Sequence, residues 1–260
     1  MPYFDKTRED FKKKYYRKPV TILWSGGLDS NCILLMAIEA ECEIHVVTVD
    51  SEQLPNYRAE RQNRTAILDK LRDEYPRTHI RHEVILSQNM TGDFHFNQMQ
   101  MWLSAMILLS TYGDLMIGYV CGDEAISYLP ELQKAWKACS FNRKDPMDLH
   151  FPLTKVTKAE FTDYVAHTLP FMSIYCEQPI PTGDMYSKCG NCPSCRRMTD
   201  DNVSMVDTKS PNHAMRTFIE NNSKYEWAIN GDGDFVPNPS SVTEDLLMTL
   251  DVDDAVKAAD

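Results

Sequence analysis

The chain lacks several features that would decide its class at once. No apolar run approaches the ~20 residues that a membrane-spanning helix requires, so we expect no membrane partner. The first ten residues are too highly charged for a secretory signal, and we therefore expect a cytoplasmic protein. No internal repeat is visible, which argues against a solenoid or a propeller.

The chain also has fewer basic than acidic residues. The chain has 27 lysines and arginines against 38 aspartates and glutamates, so its formal net charge is −11. Such a balance argues against broad, non-specific binding of nucleic acid by the whole surface. A local basic run over residues 12–18 is predicted to be the solvated face of an N-terminal helix over residues 4–18.

What the chain does contain is a glycine turn between a predicted strand and a predicted helix. Val20 to Trp24 is a short apolar run rich in β-formers, and apolar residues recur at helical spacing after Asp29. Glycines allow a ligand to approach the main chain, and a helix N-terminus attracts anions. The turn is neither a Walker A loop nor a Gly-x-Gly-x-x-Gly turn. We predict that a phosphate or pyrophosphate is bound by Ser25, Gly26, Gly27, Leu28, Asp29 and Ser30, the alternative being a capped structural turn.

Strand and helix patterns alternate along the first 170 residues. Further strands are predicted over residues 44–50 and 81–86 and from Leu115, and helices over residues 59–75, 97–112 and 128–140 and after Thr157. This order predicts an α/β protein whose parallel sheet has helices on both faces. Ligands of such sheets bind beyond the carboxyl ends of the strands, where the glycine turn also lies.

Lys158 belongs to a well-marked helix start. Thr157 and Glu160 fit a capping box, which places Lys158 in the first helical turn. A cation is disfavoured there unless an anion is nearby. The position therefore predicts a phosphate contact, and a solvated surface lysine is the alternative.

Half of the cysteines crowd into one short segment. Cys32, Cys42, Cys121 and Cys139 are scattered, whereas the others form the pattern Cys-x12-Cys-x2-Cys-x2-Cys. Four thiolates at this spacing suit a closed, structural Zn²⁺ site, with an iron–sulfur cluster as the alternative. The predicted metal ligands are Cys176, Cys189, Cys192 and Cys195.

The Ser-Gly-Gly-x-Asp-Ser turn after the first strand resembles the phosphate loop of the ATP-pyrophosphatase family. Members of that family use ATP to form adenylates and release pyrophosphate. The resemblance implies a Rossmann-like, adenine-nucleotide-alpha-hydrolase-like fold with ATP and Mg²⁺ as cofactors. It also implies that Asp29 and Asp123 organise the magnesium ion or the loop, although a structural cap is the alternative for each. We add Gly118, at the end of the fourth strand, to the predicted nucleotide contacts.

The first 200 residues resemble more narrowly the 7-cyano-7-deazaguanine synthase family. Four pieces in order carry this resemblance: residues 23–30, Val120-Cys121 followed by Tyr128, Pro152-Leu153 with residues 158–160, and the cysteine segment. It implies that the loop and Lys158 contact ATP and that the four cysteines bind zinc. It further implies adenylation of 7-carboxy-7-deazaguanine, attack by ammonia, a second adenylation of the amide, and loss of AMP to give a nitrile.

The chain departs from this family on the substrate side. Residues 91–97 lack the arginine of the family's run before the long helix, and residues 50–56 and 128–133 also differ. A diverged ligase that passes a deazaguanine acyl group to an amine of a protein or nucleic acid is therefore one alternative. A second is an enzyme similar to tRNA sulfurases, which would use Cys121 or Cys139, both expected in the core. A third is a zinc-stapled interaction module without turnover.

The predicted organisation has three parts. Residues 1–170 form the ATP-binding α/β domain, residues 171–200 the zinc-binding segment, and residues 201–260 a peripheral extension. The expected partners are the small deazaguanine acid and ammonia. A homodimer and a macromolecular acceptor are left open.

Overall fold

The computed structural model describes residues 3–50, 56–86, 113–123, 126, 129–140, 147–170, 175–182, 185–196, 198, 227–229 and 235–237. Several predictions fall outside these residues. They are the helix over residues 97–112, the departures over residues 91–97, the position of Tyr128, and most of the extension over residues 201–260.

The described elements follow the predicted alternation of strands and helices. In chain order they are α1 (Tyr3–Tyr15), β1 (Pro19–Leu23), α2 (Leu28–Glu39), β2 (Glu43–Asp50), α3 (Tyr57–Glu74), β3 (Ile80–Leu86), β4 (Asp114–Ile117), α4 (Leu129–Ser140), β5 (Leu149–His150), α5 (Lys158–Thr168), β6 (Ile180–Thr182), β7 (Met185–Ser187), β8 (Trp227–Ile229) and β9 (Phe235–Pro237).

Strands β1 to β5 form one sheet in the order β3-β2-β1-β4-β5, and every neighbouring pair is parallel. The central strand is therefore β1, with Val20 paired to Ile44 on one side and to Asp114 on the other. The predicted parallel sheet is confirmed. Strand β5 was not predicted, because two residues are too few to show an alternating pattern.

Two apolar clusters cover the opposite faces of this sheet. Successive strand residues point to opposite faces, so Val46 belongs to one cluster and Val47 to the other. The first cluster joins the sheet to α1, α2, α3 and α5, and the second joins it to α4. The prediction of helices on both faces is thus confirmed.

Helix α1 packs its aromatic residues as the sequence predicts. Phe4, Phe11 and Tyr15 are buried, and the basic residues of the run from 12 to 18 are exposed. The helix is shorter than predicted and ends at Tyr15. Arg17 then adopts a positive φ of 56°, which a continuing helix would not allow.

The expectation that Cys121 and Cys139 both lie in the core is only half right. Cys121 is buried after β4, as expected. Cys139 is exposed, and the prediction for it is wrong. Its helix α4 buries Leu132 and Trp136, and Cys139 lies on the same side of the helix by its spacing. It is exposed because it lies near the helix end, where residues 137–139 are all exposed.

Two short hairpins complete the described structure. Strands β6 and β7 pair antiparallel, as do β8 and β9 within the predicted extension. None of the helices in the described part of the chain combines the length and the apolar character that crossing a bilayer requires.

Gly113 lies directly before β4 and has a backbone conformation that other residues rarely adopt. Its φ is +68°, and a Cβ atom would lie 1.8 Å from the carbonyl oxygen of Pro19. We expect Gly113→Ala to lower the free energy of unfolding by about 2–5 kcal/mol, through left-handed strain and a backbone clash. Chemical denaturation measures the change. Lys134→Ala, at an exposed position of α4, is the control, and equal stability of the two variants would contradict the described start of β4.

Candidate functional site

The glycine turn lies at the carboxyl end of the central strand β1. From β1 the chain proceeds to β2 and β3 on one side of the sheet, and later to β4 and β5 on the other. The order of strands therefore reverses between β1 and β4. Open α/β sheets bind their ligands at this kind of switch point, outside the carboxyl ends of the strands.

The carbonyl groups of residues 24–27 are all held by donors from the surrounding protein. Three neighbouring elements supply these donors, so the turn is fixed from behind. The bonds run from Thr48 Oγ1 to Trp24 O at 2.8 Å, from Arg64 Nη1 to Ser25 O at 3.1 Å, from Asn31 Nδ2 to Gly26 O at 2.9 Å, and from Ser30 Oγ to Gly27 O at 3.1 Å.

The amide groups that follow the turn are arranged for an anion. Leu28, Asp29 and Ser30 open α2, so their N–H groups have no acceptor within the helix. The N-cap is Gly27, which has no side chain to cap them. Partial positive charge is concentrated at this helix end, where phosphate groups bind in many proteins.

The two serines of the turn stabilise its conformation. Ser25 Oγ accepts a hydrogen bond from the amide of Gly27 at 3.0 Å and lies 3.3 Å from Ser30 Oγ. These hydroxyls were predicted as anion donors. Their contact with a ligand stays a prediction, and their structural role is visible in these bonds.

Glycine is required at two of the predicted positions. Gly26 has a φ of +86°, a conformation that side chains disfavour. Gly118 follows β4, and a Cβ atom there would lie 3.1 Å from the carbonyl carbon of Asp29. Gly118 therefore lets the end of β4 lie directly against the first turn of α2. Its predicted contact with a nucleotide stays a prediction.

Lys158 and Asp29 form a buried ion pair beside these amides. Lys158 Nζ lies 3.0 Å from Asp29 Oδ2, and Lys158 is only 4% exposed. Burying an ammonium group is costly unless an anion accompanies it. Asp29 supplies that anion, and the alternative of a solvated surface lysine is wrong.

The helix start that carries Lys158 forms as predicted. The Glu160 carboxylate accepts hydrogen bonds from the backbone amide of Thr157 at 2.9 Å and from its hydroxyl at 3.1 Å. The predicted pairing of these residues is confirmed. It fixes the first turn of α5, and with it the position of Lys158.

The remaining oxygen of Asp29 and the carboxylate of Asp123 differ in their surroundings. Asp29 Oδ1 is buried and has no hydrogen-bond partner among the described residues. Asp123 Oδ2 accepts the backbone amide of Val120 at 2.8 Å, which stabilises the turn after β4. Asp29 is thus the better candidate to receive a cation, and a catalytic role for Asp123 stays a prediction.

A set of buried charged side chains behind the turn was not predicted from the sequence. Arg64 of α3 is 5% exposed, forms an ion pair with Asp50, at the end of β2, and lies 3.9 Å from the carboxyl group of Glu60. The available signal was an acid at the carboxyl end of β2, on the same edge as the glycine turn. Glu60 and Arg64 also stand four residues apart, which places them on one helix face.

The protonation of Glu60 is expected to make the stability of the protein depend on pH. Burial, with a smaller contribution from Asp50, raises the pKa of Glu60 from its ordinary value of 4.5 to about 8, against the opposing effect of Arg64. Between these values the folded chain holds a proton that the unfolded chain releases. The contribution of Glu60 to stability is therefore greatest below pH 4.5 and is lost as the pH rises toward 8.

We expect Glu60→Gln to flatten the decline of the unfolding free energy between about pH 5 and pH 8. Denaturation series across this range measure the slope. Glutamine can still accept the hydrogen bond that Asn56 donates to Glu60. Glu9→Gln, at an exposed position of α1, is the control and should keep the wild-type slope; an unchanged slope in Glu60→Gln would refute the prediction.

The four clustered cysteines converge on one point. Their sulfur atoms all lie within 4.8 Å of one another, with Cys176 and Cys192 at 3.9 Å and Cys189 and Cys195 at 4.0 Å. A tetrahedral zinc ion with Zn–S bonds of about 2.3 Å places its sulfurs about 3.8 Å apart. The cluster therefore fits a single Zn²⁺ ion. It leaves little room for a multi-iron core.

Backbone amides stabilise thiolate character in this cluster. Cys189 Sγ accepts N–H groups from Asn191 at 3.4 Å and Cys192 at 3.3 Å, and these bonds lower its pKa to about 6. Burial raises the pKa of Cys195 to about 12. Gly190 has a φ of +77°, which allows the tight turn between Cys189 and Cys192.

We expect Cys192→Ser to lose bound metal and to lower the midpoint of thermal unfolding, because metal binding and folding are linked. Elemental analysis and thermal denaturation measure the two effects. Cys139→Ser is the matched control, since Cys139 is exposed and lies outside the cluster. Retention of the full metal content by Cys192→Ser would contradict the proposed ligand set.

Comparison with known proteins finds solved structures of low sequence identity. No family model matches the chain, and no curated protein matches it. Among solved structures, a predicted subunit of tRNA methyltransferase from Methanocaldococcus jannaschii is 15% identical, with 72% of this chain and 89% of that chain covered and a TM-score of 0.40. NMN synthetase from Francisella tularensis is 13% identical, with coverages of 84% and 93% and a TM-score of 0.46. The NH3-dependent NAD synthetase from Campylobacter jejuni is 12% identical, with coverages of 84% and 90% and a TM-score of 0.36.

Proposed function

We propose that this chain is an ATP-dependent ligase that adenylates a carboxylate and releases pyrophosphate. The observation that carries the proposal is the turn over residues 24–27. Its carbonyl groups are all bonded into the protein, and the amides that follow lack an acceptor within α2. A phosphate chain suits such a turn, and the resemblance of the same residues to the ATP-pyrophosphatase loop supports ATP as its source.

Adenylation gives the carboxylate a leaving group that it otherwise lacks. A carboxylate oxygen attacks the α-phosphorus of ATP, the bond from that phosphorus to the bridging oxygen breaks, and pyrophosphate leaves with the electron pair. In this proposal the amides of Leu28 and Asp29 and the ammonium group of Lys158 neutralise the departing charge. Positioning and charge neutralisation supply most of the catalysis in phosphoryl transfer.

Asp29 is the residue that would hold magnesium. Its Oδ1 atom is buried and has no hydrogen-bond partner among the described residues, and Mg²⁺ prefers carboxylate oxygens. When bound, the ion neutralises phosphate charge. We keep Asp123 as a second candidate ligand.

For the acid we propose 7-carboxy-7-deazaguanine, with ammonia as the second substrate. The order of the four motif pieces in the sequence supports this choice. Ammonia attacks the adenylate and displaces AMP, which gives the amide. A further ATP adenylates the amide oxygen with release of pyrophosphate, and loss of AMP then gives the nitrile.

Product analysis separates this proposal from its alternatives. The protein is incubated with ATP, ammonia and 7-carboxy-7-deazaguanine, and the products are identified by mass spectrometry. A nitrile and AMP support the proposal in full. Mass added to a protein or nucleic acid, without nitrile, would instead support the ligase that transfers an acyl group. If no acid causes consumption of ATP, the enzymatic proposal fails.

The alternative of an enzyme similar to tRNA sulfurases needs a reactive cysteine, and the structure gives little support for one. Cys121 is buried, and its amide donates to the carbonyl of Val156 at 2.9 Å. Reactive cysteines lie in partly exposed, electropositive surroundings. Cys139 is exposed on α4, where Lys137 is a nearby cation in sequence, so Cys139→Ser tests what remains of this alternative.

We expect Asp29→Asn to reduce ATP–pyrophosphate exchange by about 10²-fold or more, because it removes the carboxylate that would hold Mg²⁺ at the phosphates and that pairs with Lys158. Asparagine keeps the shape of the side chain beside Lys158. Ser30→Ala should act in the same direction, since it removes a hydroxyl that is predicted to contact the phosphate and that bonds to the carbonyl of Gly27. Asp163→Asn, at an exposed position of α5, is the control. Full exchange activity in a folded Asp29→Asn protein would contradict the assignment.

A further inference from the structure

Arg64 occupies a position behind the glycine turn that the reaction above does not use. It belongs to α3, is 5% exposed, and contacts the turn without being part of it. We propose that Arg64 is a positioning residue that holds the turn in its anion-binding conformation. This inference rests on the proposed function, because it concerns the same phosphate site.

The aliphatic stem of Arg64 supports Gly26. A Cβ atom on Gly26 would lie 2.6 Å from Arg64 Cγ, so the stem fills the space where a side chain would otherwise project. Gly26 is also the residue with the φ of +86°. The stem therefore packs against the residue at which the main chain makes its left-handed turn.

The guanidinium group of Arg64 fixes the neighbouring carbonyl. Its Nη1 atom donates to Ser25 O at 3.1 Å, while its Nη2 atom donates to the carboxylate of Asp50. The planar guanidinium group, with its two NH₂ groups forming a fork, makes both contacts at once. The single ammonium group of a lysine cannot make both with the same geometry. Asp50 ends β2, so the fork ties the turn to the neighbouring strand.

The bond from Arg64 keeps the carbonyl oxygen of Ser25 pointing away from the anion site. A carbonyl oxygen carries partial negative charge and would repel a phosphate if it turned toward the site. Arg64 is the donor that α3 supplies, whereas Asn31 and Ser30 act from α2 and Thr48 acts from β2. Loss of the fork should therefore weaken binding of phosphate groups while leaving the other carbonyls in place.

The test uses Arg64→Lys, which keeps the charge and most of the stem but loses the fork. We expect its dissociation constants for ATP and for pyrophosphate, measured by calorimetry, to rise about tenfold or more. In ATP–pyrophosphate exchange, KM for ATP should rise more than kcat falls. Arg61→Lys is the matched control, because Arg61 is exposed one turn earlier on α3 and donates only to the Tyr57 hydroxyl among the described contacts.

A second variant covers the case in which Arg64→Lys fails to fold. Asp50→Asn keeps Arg64 and the shape of its partner but weakens the charge that orients the fork, so it should shift affinity in the same direction by a smaller factor. Wild-type affinity in both folded variants would overturn the inference. If the wild-type protein itself binds neither ATP nor pyrophosphate, the proposed function fails instead. A purely structural role for Arg64 would lower the unfolding midpoint and leave both dissociation constants unchanged.

Discussion

The direction of the carbonyl groups in the turn after β1 is the constraint on which the site depends. A glycine turn at a strand end is common, and glycines alone do not make it a receptor. Here α2, α3 and β2 each contribute a donor that draws a carbonyl into the protein. The amides at the start of α2 are left as the polar groups available to a ligand.

The charged side chains beside the turn are buried pairs, in a chain whose formal net charge is −11. Arg64 and Lys158 are both buried next to the turn, and each is paired with an acid from another element. The overall charge therefore says little about the potential at this site. It describes the surface, whereas the site is built from buried pairs.

The sequence predicted the elements whose signals are local and periodic. The strand before the turn, the helix after it, the capping pair Thr157 and Glu160 and the cysteine cluster follow from short-range patterns. Strand β5 was missed because two residues carry no period. The burial of Arg64 was missed because it depends on the end of β2, and a charged residue on an amphipathic helix normally faces solvent.

Helices α2 and α5 begin close together, since Asp29 and Lys158 belong to their first turns and touch. Each helix start carries partial positive charge, so their approach is electrostatically unfavourable in the absence of an anion. Charged side chains act at this junction as well. The carboxylates of Asp29 and Glu160 offset the repulsion, and the ammonium group of Lys158 adds to it. The fold thus brings two like dipole ends together, and a bound polyanion would be attracted by both and would stabilise the junction between the two helices.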